Sequence, residues 1–184
     1  MEHFQPQILP VVFLGAALIP AVVWDLKYRR IPNLITLPLA VLALVLHAAF
    51  SGLEGLLFSG AGLLLGTALF LPGYILGGMG AGDAKLMGAV GAVLGAKGVL
   101  ISAVLTALYG GLYALILLLL HPAYGRELLS RTWAVLKTFV LTRQYIPAPA
   151  PDSVRKKPRL CYGLAIALGV YTYLFIEYAG VEFL

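Results

Sequence analysis

The stretch LEGLLFSGAGLLLGTALFLPGYILGGMGAGDAKL, residues 53–86, decides how this chain is to be read. Residues 53–76 are apolar almost throughout, and a helix rising 1.5 Å per residue needs about 20 such residues to cross a hydrocarbon core about 30 Å thick. Gly77, Gly78, Gly80 and Gly82 then interrupt the run, because glycine forms helix poorly and permits backbone angles and close approaches that other residues resist. Asp83 stands next, at the mouth of the following apolar run. A carboxylate at membrane depth is costly, and it marks a functional site by default.

The rest of the chain has the same character. Of its 184 residues 61% are hydrophobic and 11% charged, and the mean hydropathy is +0.94, a composition that places it in a bilayer. Six runs qualify as spans, over about 6–24, 34–51, 53–76, 84–101, 103–120 and 160–179. Long runs of Leu, Ala, Val and Gly indicate helices, since a barrel would alternate polar and apolar residues in segments of about ten. The expected fold is all-α, a polytopic bundle of six transmembrane helices forming one membrane-embedded domain over residues 1–184.

Orientation follows from the basic residues, which accumulate on the cytoplasmic side. With both termini outside, the inner face receives Lys27, Arg29, Arg30, Lys85, Arg126, Arg131, Lys137, Arg143, Arg155, Lys156, Lys157 and Arg159, and only Lys97 falls outside. The net charge of +5 is therefore topological, with attraction to anionic lipid as a secondary effect, and no nucleic-acid partner is implied. No basic residue precedes the first run and its positive cluster follows it, so it reads as a retained span rather than a cleaved signal.

The single Cys161 has no partner for a disulfide and lacks the spaced companions of a zinc site, which leaves a small apolar packing role. His3, His47 and His121 are scattered. Among the acidic residues the topology sends Glu2, Glu54, Glu177 and Glu182 outward, and Asp25, Asp83, Glu127 and Asp152 inward. Glu127 and Asp152 lie in a polar loop. Asp25 closes the first apolar run and Asp83 follows the third, so two crossings separate them and both lie at one membrane face. Two carboxylates held close cannot both ionise easily; one keeps its proton, and the pair supplies a general acid and a general base at the same pH. That suits amide hydrolysis by activated water. Each aspartate also has a plainer reading, Asp83 as an N-cap of the fourth helix and Asp25 as an ion-pair partner of Lys27 or Arg29.

The glycines favour chemistry over capping, because irregular backbone at membrane depth survives only when buried in protein or lining a wet cavity. From Ala84 to a break expected at Lys97-Gly98 the helix is about 20 Å long, short of a full span, which recesses Asp83 below the inner interface. GMGAGDAKL, residues 78–86, resembles the GxGD signature of membrane aspartic peptidases, specifically the type IV prepilin peptidases, and Lys85 matches their GDxK form. Asp25 opens DLKYRRIPN, which resembles the first-aspartate segment of that family. CYGLAIALG, residues 161–169, is similar to the PYGxAIAxG stretch at the start of the last span in its short members, with Cys161 in place of the usual Pro.

The resemblance implies Asp25 and Asp83 as the catalytic pair, Gly80 and Gly82 as shaping the approach to Asp83, and Lys85 as a supporting residue. Asn33 reads as an N-cap of the second span. The implied function is a membrane aspartic endopeptidase of the cell (inner) membrane, without metal or organic cofactor. It removes the positively charged leader of prepilin or pseudopilin precursors at the cytoplasmic face. No cysteine-bearing insertion separates the first two spans, so methyltransferase activity and zinc are not expected, and the short form resembles peptidases serving Flp or tight-adherence pili. The alternative is a small proton- or cation-coupled transporter using the same pair, against which stand the lack of a midplane carboxylate and of an inverted repeat.

The loop 121–158 sets Leu128, Leu129, Trp133, Leu136, Phe139 and Val140 along one helical face, as an amphipathic helix lying in the interface would. PAPAP at 147–151 is expected to be extended. Gly60, Gly62 and Gly66 in the third run and Gly88, Gly91 and Gly95 in the fourth allow close helix approach.

Overall fold

The computed structural model describes residues 5–122, Gly125, Arg126, Ser130, Trp133, Lys137 and 161–180, with side chains from Leu9 onward. The described elements are helical: α1 (Gln5–Tyr28), α2 (Asn33–Ile75), α3 (Ala81–Leu120) and α4 (Tyr162–Tyr178). In an apolar medium each peptide group must find its partner within its own segment, and only the helix provides that for a single run. Three of the helices, over Leu9–Tyr28, Asn33–Ile75 and Ala81–Leu120, are long and apolar enough to cross a membrane, and α4 is a shorter apolar helix.

The apolar runs expected as six separate spans come as four helices, two of them sharply broken. Gly52 (φ 59°, ψ −136°) interrupts α2 and Gly95 (φ 71°, ψ −176°) interrupts α3, both in conformations that essentially only glycine adopts. The first break folds the chain back on itself. The His47 and Phe58 ring centroids are 5.2 Å apart, whereas 11 residues of straight helix would separate them by about 16 Å. A side chain at Gly55 would meet the His47 carbonyl. The second break falls at Gly95, ahead of the expected Lys97-Gly98. Lys97 and Gly98 continue in helix, because neither charge nor glycine alone ends one when the following residues are apolar helix formers.

Small residues govern the packing. Gly62 lies against the Gly91 carbonyl and Gly91 against that of Gly62, and Gly66 lies against the Met87 carbonyl, so that a methyl group at any of them would collide with backbone. Ser59 adds a hydrogen bond from Oγ to the Ala92 carbonyl, 2.7 Å. Of the glycines expected to permit close approach, Gly62, Gly66 and Gly91 are thus used between the chain's own segments, whereas Gly60 has nothing within 4 Å. α4 joins α1 through the Tyr171 hydroxyl, which donates to the Gly15 carbonyl at 2.7 Å, and joins α3 through Tyr109 and Thr172, 2.9 Å apart. Leu14, Leu18, Leu86, Met87, Val90, Ile166 and Val170 fill the core between them. Outside, Leu57 is 64% and Leu64 71% exposed. Such a surface is suited to lipid, where burying Leu is no more favourable than leaving it on the outside.

The chain divides into two compact units, Met1–Gly110 with Cys161–Leu184, and Gly111–Leu160. In the second, the His121 amide donates to the Leu117 carbonyl and the Gly125 amide to that of His121, both at 3.0 Å. Of the expected interfacial face, Trp133 is exposed, while Leu128, Leu129, Leu136, Phe139 and Val140 lie outside the described residues, as do Glu127, Asp152 and the Pro-rich segment.

Candidate active site

Three helix ends meet within the first unit. Asp25 sits in the last turn of α1 and is 6% exposed. Its carbonyl accepts the Arg29 amide at 2.7 Å, and Arg29 takes the left-handed conformation (φ 55°) that stops the helix. The chain then runs through Ile31 to Pro32, whose extended backbone (φ −72°, ψ 141°) starts α2. Proline suits a helix entrance because it has no amide hydrogen to satisfy. Asn33, expected as the N-cap, is instead the first residue of the helix, and its Oδ1 accepts the Lys85 ammonium at 3.0 Å. Lys85 therefore ties the start of α2 to the start of α3.

The second helix end belongs to α3. Gly77 (φ 72°) closes α2; its amide donates to the Tyr74 carbonyl and that of Gly78 to the Gly73 carbonyl, each at 3.0 Å, the pattern of a Schellman cap. Three residues later the Gly80 amide donates to Asp83 Oδ2 at 2.9 Å, while the Asp83 amide donates to the Gly80 carbonyl at 3.1 Å. Asp83 is the third residue of α3, so it caps from inside the first turn, reaching back to the residue before the helix, rather than occupying the N-cap position expected for it. It is 7% exposed. Its charge faces the positive end of the helix dipole.

Gly82 explains how these ends come together. A Cβ there would lie 2.9 Å from the Ile31 Cβ and 3.1 Å from the Ile31 carbonyl oxygen, so the turn after Asp25 crosses directly over the turn that carries Asp83. Gly82 supplies room, and Gly80 supplies an amide.

The third end is that of α4. The Gly163 amide donates to Asp25 Oδ2 at 3.0 Å in buried surroundings. Cys161 precedes the helix without a side-chain cap, and the carboxylate of α1 takes over that task for a helix 138 positions later. A helix start leaves its first amides without internal partners; Asp25 satisfies one of them. Sequence reasoning singled out the segment 161–169 but attached no role to Gly163. Cys161 is buried, as a packing role requires, and lies within the electrostatic field of both aspartates. The Asp25 and Asp83 charges also act on each other. Tyr162 stands in the field of Asp83 and packs edge-on against Phe70, centroids 6.0 Å apart.

The arrangement brings together Asp25, Asp83, Gly80, Gly82 and Lys85. It consists of two nearly dry carboxylates, each held by one backbone amide at a helix start. Such a pair can share a proton and polarise a water molecule between them. No group of three or more His, Cys, Asp or Glu side chains that could hold a metal ion occurs among the described residues.

Long apolar helices enclosing two buried carboxylates are what the fold and the site present. The family model described as the type IV leader peptidase family matches residues 12–115, which is more than half the chain and includes both aspartates, and the chain belongs to that family. No curated protein and no solved structure matches it. Membership supports a type IV leader peptidase function in general terms and, with the apolar helices, a membrane protein.

Proposed function

We propose that the protein is a membrane aspartic endopeptidase that removes the basic leader from prepilin-like precursors at the cytoplasmic face of the cell membrane. The observation that carries this reading is the meeting of Asp25 and Asp83, both buried, at helix ends that cross where Gly82 lies against Ile31. One carboxylate takes a proton from water as it attacks the scissile carbonyl, and the other donates its proton to the carbonyl oxygen. As the C–N bond of the tetrahedral intermediate breaks, the first carboxyl passes the water's proton to the departing amine and a hydroxyl of the intermediate returns one to the second carboxylate. The products are the leader's carboxylate and the new amino terminus, and the pair ends with the one proton it began with.

The substrate class rests on family membership. A precursor whose basic leader precedes an apolar helix would bring its scissile bond to the membrane boundary, where this reading puts the three helix ends. The same ends carry Lys27, Arg29, Arg30 and Lys85, so the leader is not drawn there by charge, and selection falls to contacts between helices in the membrane. The breaks at Gly52 and Gly95 support a reading of six crossings, and the distribution of basic residues supports one with the aspartates inside and both termini outside.

Co-expression of the chain with candidate pilin-like precursors tests the proposal. Leader removal by the native sequence, and its loss in Asp25→Asn and in Asp83→Asn, is the expected result. Undiminished cleavage in either variant would remove the paired-carboxylate mechanism.

A further inference from the structure

The Asp25 carboxylate is held from outside its own helix. Its Oδ2 accepts the Gly163 amide at 3.0 Å, and a Cβ on Gly163 would lie 2.9 Å from that same oxygen and 3.2 Å from the Asp25 Cβ and Cγ. The contact is therefore an amide pressed against a carboxylate with no room for a side chain. A neighbour fixes the backbone beside it: the Tyr162 ring packs against Phe70, centroids 6.0 Å apart, and against Gly110, where an added Cβ would lie 3.0 Å from ring atoms. The backbone that presents the Gly163 amide is thus anchored independently of Asp25.

We infer that Gly163 is a positioning residue for leader cleavage: its amide orients the Asp25 carboxylate toward the water it shares with Asp83, and its lack of a side chain allows that carboxylate to sit there. The inference rests on the aspartic endopeptidase reading above. It brings α4, which lies beyond the residues matched by the family model, into the catalytic arrangement. Asp83 receives the equivalent service from Gly80 at the start of its own helix, so the two carboxylates are held by amides from the starts of two different helices. Displacement of a reacting group by about 1 Å can cost about a hundredfold in rate, and a methyl group at 163, which would lie 2.9 Å from Oδ2, moves the carboxylate by a sizeable fraction of that.

The test compares Gly163→Ala with Gly169→Ala on the full chain in lipid nanodiscs, using a precursor that the co-expression assay finds cleaved. Gly169 lies on the same helix and is tighter still, a Cβ there running into the Thr106 hydroxyl and backbone, so it sets an upper bound on what crowding alone does to the fold. Gly163→Ala is expected to lower kcat about tenfold or more with KM changed by less than about twofold, at a melting temperature no lower than that of Gly169→Ala. Gly169→Ala is expected to keep its kcat. Native kcat in Gly163→Ala, or a loss of activity that merely follows its melting temperature, would overturn the inference while leaving the peptidase intact. Cleavage that persists in Asp25→Asn would overturn the parent reading instead. If Gly163→Ala does not fold, ¹⁵N-glycine labelling decides the matter: the Gly163 amide resonance is expected to move in Asp25→Asn and to stay in Asp83→Asn, and an unmoved resonance in Asp25→Asn contradicts the inference.

Discussion

At the scale of single residues, the two aspartates are legible in the sequence because each interrupts an otherwise apolar chain at a helix end. Gly80, which holds Asp83, is legible through the GxGD resemblance; the residue that holds Asp25 is not. Gly163 is one of 21 glycines, and nothing in its neighbourhood along the chain says that its amide meets a carboxylate 138 positions earlier. Asn33 illustrates the same limit: its side-chain chemistry suits a cap, yet Pro32 takes the entrance of α2 and frees Asn33 to accept Lys85. If the two carboxylates act as one unit, their removal is not additive. Asp25→Asn and Asp83→Asn should each reduce the cleavage rate by about a thousandfold or more, and the double variant should be no slower than the worse single one; single-turnover kinetics on all three reads this. Arg29, in the turn that follows Asp25, offers a test that reads stability rather than cleavage. It holds a left-handed conformation (φ 55°) that costs a non-glycine residue about 1 kcal/mol, so Arg29→Gly should raise the melting temperature in detergent, and a fall would contradict the conformational account.

At the scale of elements, the apolar runs are legible because length and hydropathy are summed over many residues, and the helical class follows from the solvent. The break in α3 is not, since Lys97-Gly98 looks like an interruption and Gly95 is the residue that turns. Hydropathy does not register backbone angles. Gly95→Ala must both enter a glycine conformation and displace the Phe58 ring, and should destabilise the protein by about 3 kcal/mol. Gly60→Ala, on a regular stretch of α2 with nothing within 4 Å, should be neutral or stabilising by up to about 1 kcal/mol. Thermal melts of the two variants side by side check the difference. Gly82→Ala belongs with them but reads out on activity. Its methyl group pushes the Cβ and backbone of Ile31 and so separates the turns that carry the aspartates, and cleavage should fall about tenfold or more, beyond what the lowered melt accounts for.

At the scale of the whole molecule, the proposed topology puts the aspartate-bearing ends and their basic residues inside, and the Gly52 and Gly95 breaks outside. Cysteine introduced at Glu54 should react with an impermeant maleimide added to intact cells, and one introduced at Lys85 should not; the reverse pattern would invert the orientation. Because the acid and base work is assigned to carboxylates, EDTA should leave leader removal unchanged, whereas a metal-activated water would be lost with its ion. The central claim is that two particular carboxylates together hydrolyse a leader peptide bond. The most direct measurement is cleavage of one prepilin-like precursor by purified protein in nanodiscs, comparing the native sequence with Asp25→Asn and Asp83→Asn of matched melting temperature. The account predicts cleavage by the first and none by either variant; a folded variant that still cleaves would contradict it.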